Sequence, residues 1–117
     1  MVVHITEDLM MSSNASLAAR ETGHKFKFVA SWDRARHFIE NNDVQFLIVD
    51  LQTTGLDLDE MQQGLSQLDA NRCPKTLAYA QHVEVELLER ASAMQFEKVM
   101  TRGQAHHSFK ELLKATT

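Results

Sequence analysis

Apolar positions along the chain come in two alternating kinds of segment. Short runs rich in β-branched and aromatic residues are "VVHIT" (2–6), "KFKFVA" (25–30), "VQFLIV" (44–49), "KTLAYA" (75–80) and "FEKVMT" (96–101). Between and after them lie longer segments with apolar residues at helical spacing. "SSNASLAARETG" carries Leu17 and Ala18 and closes on Gly23, a C-terminal helix signal. "SWDRARHFIENN" opens on Ser31 as a helix N-cap and places Ala35, Phe38 and Ile39 on one face. Asp57, with Glu60 three residues on, reads as a capping box ahead of Met61, Leu65 and Leu68. Pro74 ends that connection; "EVELLERASAM" then carries Leu87, Leu88 and Ala91 inward. "HHSFKELLKA" turns Phe109, Leu112 and Leu113 to the core. The predicted order is strand then helix, five times over.

Strands joined through helices are parallel, with right-handed crossovers. The central run "VQFLIV" has no polar alternation, as a strand covered on both faces requires. "KFKFVA" alternates lysine with apolar residues and suits a sheet edge. The expected fold is a single α/β domain spanning residues 1–117: a doubly wound five-stranded parallel sheet with helices on both faces.

At 117 residues the chain can form one core without a disulfide or structural metal. A net charge of −4 without a basic block argues against nucleic acid as a partner. No apolar run approaches the roughly 18 residues of a membrane span, and "MVVHITED" lacks the pattern of a signal peptide. Cys73 stands alone, which fits a reducing cytoplasm.

The third strand runs straight into a carboxylate, "FLIVDLQTTGLD", with Asp50 at its end. Glu7 and Asp8 follow the first strand. In such sheets ligands bind beyond the carboxyl ends of the strands, beside the topological switch point. If the first and third strands are neighbours, as in the flavodoxin-like order 2-1-3-4-5, Glu7, Asp8 and Asp50 share one pocket. Each alone reads as a solvated loop acid or a helix N-terminal acid. Together they would take a cation or raise a pKa, and oxygen-only ligands point to magnesium.

The element order, the acidic pair and "IVDL" closing the third strand resemble the receiver domain of bacterial response regulators, over essentially the whole chain. The resemblance implies that Asp50 is the phosphoacceptor, fed by a histidine kinase. It also implies that Glu7, Asp8, Asp50 and the backbone of Gln52 hold Mg2+. The departures are several. Thr54 and Leu58 replace the proline and glycine of "D-L-x-M-P-x-M-D-G", while Asp57 matches. The hydroxyl residue that ends the fourth strand falls on Ala80, or on Tyr79 in the less favoured register. "MTRGQ" puts Thr101 and Arg102 where the family has lysine and proline, and Lys98 or Val99 stands in place of the aromatic switch residue. Such a pattern describes an atypical pseudo-receiver, not an enzyme, that binds Mg2+ weakly and signals by protein contact. Its partners would be a histidine kinase or a downstream signalling protein. A homodimer would form through the face of the fourth helix, fifth strand and fifth helix. The alternatives are a working phosphoacceptor with magnesium-dependent phosphoryl transfer to Asp50, and a small-molecule sensor using the strand-end pocket.

Other chemistry is poorly provided for. His106 and His107 are adjacent and so diverge on a helix, and no His-x-x-x-His spacing occurs. The segment after the first strand places acids where a flavin phosphate would sit. Leu9, Met10 and Met11 read as core contact at the start of the first helix.

Overall fold

The computed structural model describes residues 1–114. The elements are β1 (Val2–Ile5), α1 (Leu9–Glu21), β2 (Phe26–Val29), α2 (Trp32–Asn41), β3 (Phe46–Asp50), α3 (Leu58–Ser66), β4 (Lys75–Ala80), α4 (Val85–Ser92), β5 (Lys98–Thr101) and α5 (Arg102–Lys114). All strand pairs are parallel and the order is β2-β1-β3-β4-β5, the expected doubly wound sheet. Ala115 of the predicted last helix lies outside the described residues.

Two layers of side chains follow from the period of two along each strand. Val3, Ile5, Leu47, Val49 and Ala78 pack with α2, α3 and α4 through Trp32, Ile39, Met61 and Ala91. Val2, Phe46, Ile48, Leu77 and Tyr79 face α1 and α5 through Met11, Ala15, Phe109 and Leu113. β1 and β3 are buried along their whole length because helices cover both faces.

Helix ends follow local chemistry. Ser31 and Asp57 cap α2 and α3, accepting from the backbone N–H of Arg34 and Glu60. At the end of α1, Gly23 has φ +81, and the N–H groups of Gly23 and His24 reach the carbonyls of Arg20 and Ala19. That pair of bonds is the left-handed termination glycine favours.

Two helices start earlier than the apolar pattern indicates. α1 begins at Leu9 because Asp8 caps it, its Oδ1 accepting from the N–H of Met10 and Met11. α5 begins at Arg102 because Thr101 and Gln104 bond reciprocally, backbone to side chain in both directions. The predicted burial of Leu9 and Met10 does not hold. The early start turns both outward, at 69% and 64% exposed, and only Met11 enters the core.

Candidate functional site

The switch point lies between β1 and β3, and their carboxyl ends meet there. Ile5 pairs with Val49, so the next residues, Thr6 and Asp50, stand side by side. Asp50 is buried, at 9% exposed. Its Oδ2 accepts from the Thr6 hydroxyl at 2.8 Å and its Oδ1 from the Gln52 N–H at 3.0 Å. Burial pushes the Asp50 carboxyl up from the usual range, against those two hydrogen bonds; the charge of Asp8 adds to the rise.

The three acids do not converge as a ligand set. Glu7 Oε1 accepts from the Thr54 N–H at 2.7 Å, which holds its carboxyl below the ordinary range and fastens the β1–α1 connection to the β3–α3 loop. Asp8 divides its oxygens between the N-terminus of α1 and Arg102, whose guanidinium bonds Oδ2. Burial works to raise the Asp8 carboxyl, but the Arg102 hydrogen bond and charge and the two N–H groups hold it below its usual value. Arg102 is raised in turn by Asp8. Among the described residues no three His, Cys, Asp or Glu side chains form a metal-ligand group. A cation approaching Asp8 would compete with the chain's own guanidinium, which already lies on its Oδ2. Asp8 acts on Asp50 by its charge, as neighbours at these strand ends would, but Asp8 is also shared with α1 and Arg102, and Glu7 is held on Thr54. Gln52 also has another task, its Oε1 accepting from the Gln81 N–H at 2.8 Å across the two loops.

The register settles which β4 residue faces Asp50. Asp50 pairs with Tyr79, and both point to the α1 and α5 side. Ala80 pairs with Thr101 and its side chain joins the opposite layer. Tyr79 thus shares the layer of Asp50, while Ala80, expected at the hydroxyl's position, lies in the other layer and offers no donor. Neighbouring residues of a strand face opposite ways, so only one of the two shares the layer of Asp50. Thr101 caps α5, and Arg102, the first residue of that helix, reaches back to Asp8.

Two participants, Thr6 and His4, escape sequence reasoning, and Tyr79 enters it only in the less favoured register. Thr6 donates to Asp50 and also accepts from the Asp8 N–H at 3.0 Å. Tyr79 is buried, and burial, with the charge of Asp50, raises its phenol above the ordinary value. His4, also fully buried, lies within hydrogen-bond distance of the Tyr79 hydroxyl, Nε2 to oxygen 2.8 Å. Burial pushes the His4 imidazole down to about 3, so it is neutral at physiological pH. Phe26, Phe109 and Tyr79 meet its ring edge to face. The signal was present: a histidine in a four-residue β-branched run must be buried, hence neutral and hydrogen-bonded.

No protein-family model matches the sequence, and no curated protein does. Solved structures do match in shape. The chemotaxis response regulator CheY4 of Vibrio cholerae has a TM-score of 0.78 at 10% identity, over 99% of this chain and 97% of that one. The receiver domain of the sensor histidine kinase PA1611 from Pseudomonas aeruginosa, described with a magnesium ion coordinated in its active-site cleft, scores 0.78 at 11% identity. The alignment spans 97% of this chain and 93% of that one. The receiver domain of NtrX from Brucella abortus scores 0.73 at 13% identity over the whole of both chains. At these identities the shared property is the fold. The chain has the receiver-domain fold, and no helix among its described residues is long and apolar enough to cross a membrane.

Proposed function

We propose that the chain is an atypical receiver domain, a pseudo-receiver in two-component signalling. It works through contact with a protein partner and not through a phosphoryl group on Asp50. One observation carries the reading: the strand-end aspartate is already satisfied inside the fold. Thr6 and Gln52 occupy its two oxygens, Tyr79 flanks it, and Arg102 takes the neighbouring Asp8. Phosphoryl transfer to a carboxylate needs a free oxygen aimed at the donor and cations placed for the transferred charge. Here each oxygen already accepts one hydrogen bond from the fold, and Arg102 is held by Asp8. Contact through the α4, β5 and α5 face, with a histidine kinase or a downstream protein, in a cytoplasm that keeps Cys73 reduced, completes the proposal.

A working phosphoacceptor is the second reading, favoured by the magnesium described in the cleft of the similar PA1611 domain. Intact-mass spectrometry after incubation with acetyl phosphate and magnesium separates the two. The mass stays unchanged under the first reading. A gain of one phosphoryl group that disappears in Asp50→Ala establishes the second.

A further inference from the structure

β2 is an edge strand of the sheet, and its outer side is open. The Val2 N–H donates to the Lys25 carbonyl and the Thr6 N–H to the Val29 carbonyl. In a parallel pair the backbone groups of alternate residues point to the same neighbour. Lys25, Lys27 and Val29 therefore bond toward β1, and the backbone N–H and C=O of Phe26 and Phe28 point away from the sheet. Beside this ledge, between β2 and α1, runs a groove of about 520 Å3. Its apolar floor is Phe26, Phe28 and Leu17, and Phe28 and Leu17 are 49% and 52% exposed. Arg20 and Lys27 line it as well, with serines of α1 and no carboxylate. Neither cation is in an ion pair among the described residues, whereas Arg36, Arg90, Arg102 and Lys110 each have one.

We infer that this edge binds an extended acidic segment of a partner protein, which adds as a sixth strand alongside β2. Three features choose that occupant. Free backbone groups in a row recognise another strand, and an isolated anion would leave them unused. Alternate side chains of an added strand fall on opposite faces, so one set meets Leu17 and Phe28 while the other passes Lys27. The positive lining on a chain of net charge −4 selects negative partners locally. A second copy of this chain is a poor occupant, because β2 against β2 would bring Lys25 and Lys27 against their own kind.

The probe is a blocked, fluorescein-labelled peptide of alternating valine and glutamate, titrated into the full chain at low salt. Amide shifts of the protein are followed alongside anisotropy. Saturable binding with the largest shifts at Phe26 and Phe28 is expected. A valine–lysine peptide should bind at least about tenfold more weakly, and Lys27→Glu should weaken the valine–glutamate peptide by a similar factor. A valine–glutamate peptide N-methylated on alternate residues should lose binding, since it cannot complete the backbone ladder. Lys27 is exposed, so its replacement leaves folding intact; Leu17→Ser is the second surface variant and should weaken binding too. No saturation at millimolar peptide, shifts centred elsewhere, or equal binding by polyglutamate or by the methylated peptide would overturn the inference.

Discussion

Asp50 and Tyr79 stand opposite each other at the ends of β3 and β4, a carboxylate and a phenol in one buried register pair. The Asp50 charge adds to the burial that makes Tyr79 harder to ionise. Beside them Thr6 bonds Asp50, and His4 bonds Tyr79. The acid at the strand end therefore belongs to an internal polar cluster that runs down the α1 and α5 side of the sheet.

Asp50→Asn should leave stability unchanged or raise it by up to roughly 1 kcal/mol at neutral pH, allowing for solvent at the strand end. The amide is isosteric and still accepts from Thr6 or Gln52, while the desolvated charge is gone. A raised folded-state pKa means that Asp50 binds protons more readily folded than unfolded. Its ionisation opposes folding above the raised pKa, and that cost fades as the pH falls through it. Urea midpoints at pH 7 for both proteins check this. A clear drop in the variant would mean that the hydrogen bonds from Thr6 and Gln52 outweigh the burial of the charge.

His4 gives the opposite slope. Unfolded, it takes a proton near pH 6.5; folded, only at about 3. Between those values the unfolded chain binds more protons, so stability falls as pH falls through that window. The full loss at its acid end is on the order of 4 kcal/mol. Carboxyls held low, such as Asp8 and Glu21, add their loss further down, as the pH falls through their depressed values. His4→Leu should be less stable at pH 7, because the Tyr79 hydroxyl loses its partner, by about 1–3 kcal/mol. Its stability should nonetheless change much less between pH 6.5 and 4. Denaturant midpoints across that range are the measurement, and an unaltered slope would assign the acid sensitivity to another group.

Much of the fold could be read directly from the chain, since "VQFLIV" and the helical spacing of Met61, Leu65 or Phe109, Leu113 leave few alternatives. The site was harder for two physical reasons. Facing is a question of parity, and nothing local tells whether Tyr79 or Ala80 looks at Asp50; the β3–β4 register does. An acid near a strand end can serve a ligand or a helix, and Asp8 serves α1. The Thr101-to-Gln104 spacing was a visible capping signal, masked by treating Thr101 and Arg102 only as replacements for the lysine and proline of the resemblance.

The capping box makes its own prediction. Thr101→Val keeps the branched shape but removes the oxygen that accepts from the Gln104 N–H. The loss should be about 1 kcal/mol, as for other N-cap replacements. Faster amide exchange should appear in the first turn of α5 and nowhere in α2. Unchanged exchange at Arg102 to His106 would show that packing of Ala105 and Phe109 alone sets the start of the helix.

Arg102 decides the metal question. Its guanidinium lies on Asp8, so a divalent cation approaching Asp8 meets a positive charge already in place. In wild type, magnesium should bind only weakly, at millimolar or higher concentration. Arg102→Ala removes the competing charge and returns one Asp8 oxygen to solvent, while Asp8 still caps α1 through Oδ1. At separations near 4 Å, unit charges interact by about 1–4 kcal/mol between water and a protein surface, so magnesium affinity should rise by about tenfold or more. The Asp8 carboxyl should also move up toward its ordinary value, having lost the hydrogen bond that holds it down. Amide shifts of Glu7, Asp8 and Asp50 during a magnesium titration report the first effect, and side-chain carbon shifts against pH report the second. If the pKa moves but magnesium affinity does not, Glu7 on the Thr54 N–H and Asp50 beneath Thr6 keep the remaining ligands out of reach. Tight magnesium binding by the wild type, localised to these residues, would instead show that the guanidinium yields to a metal, and the pseudo-receiver reading would fall.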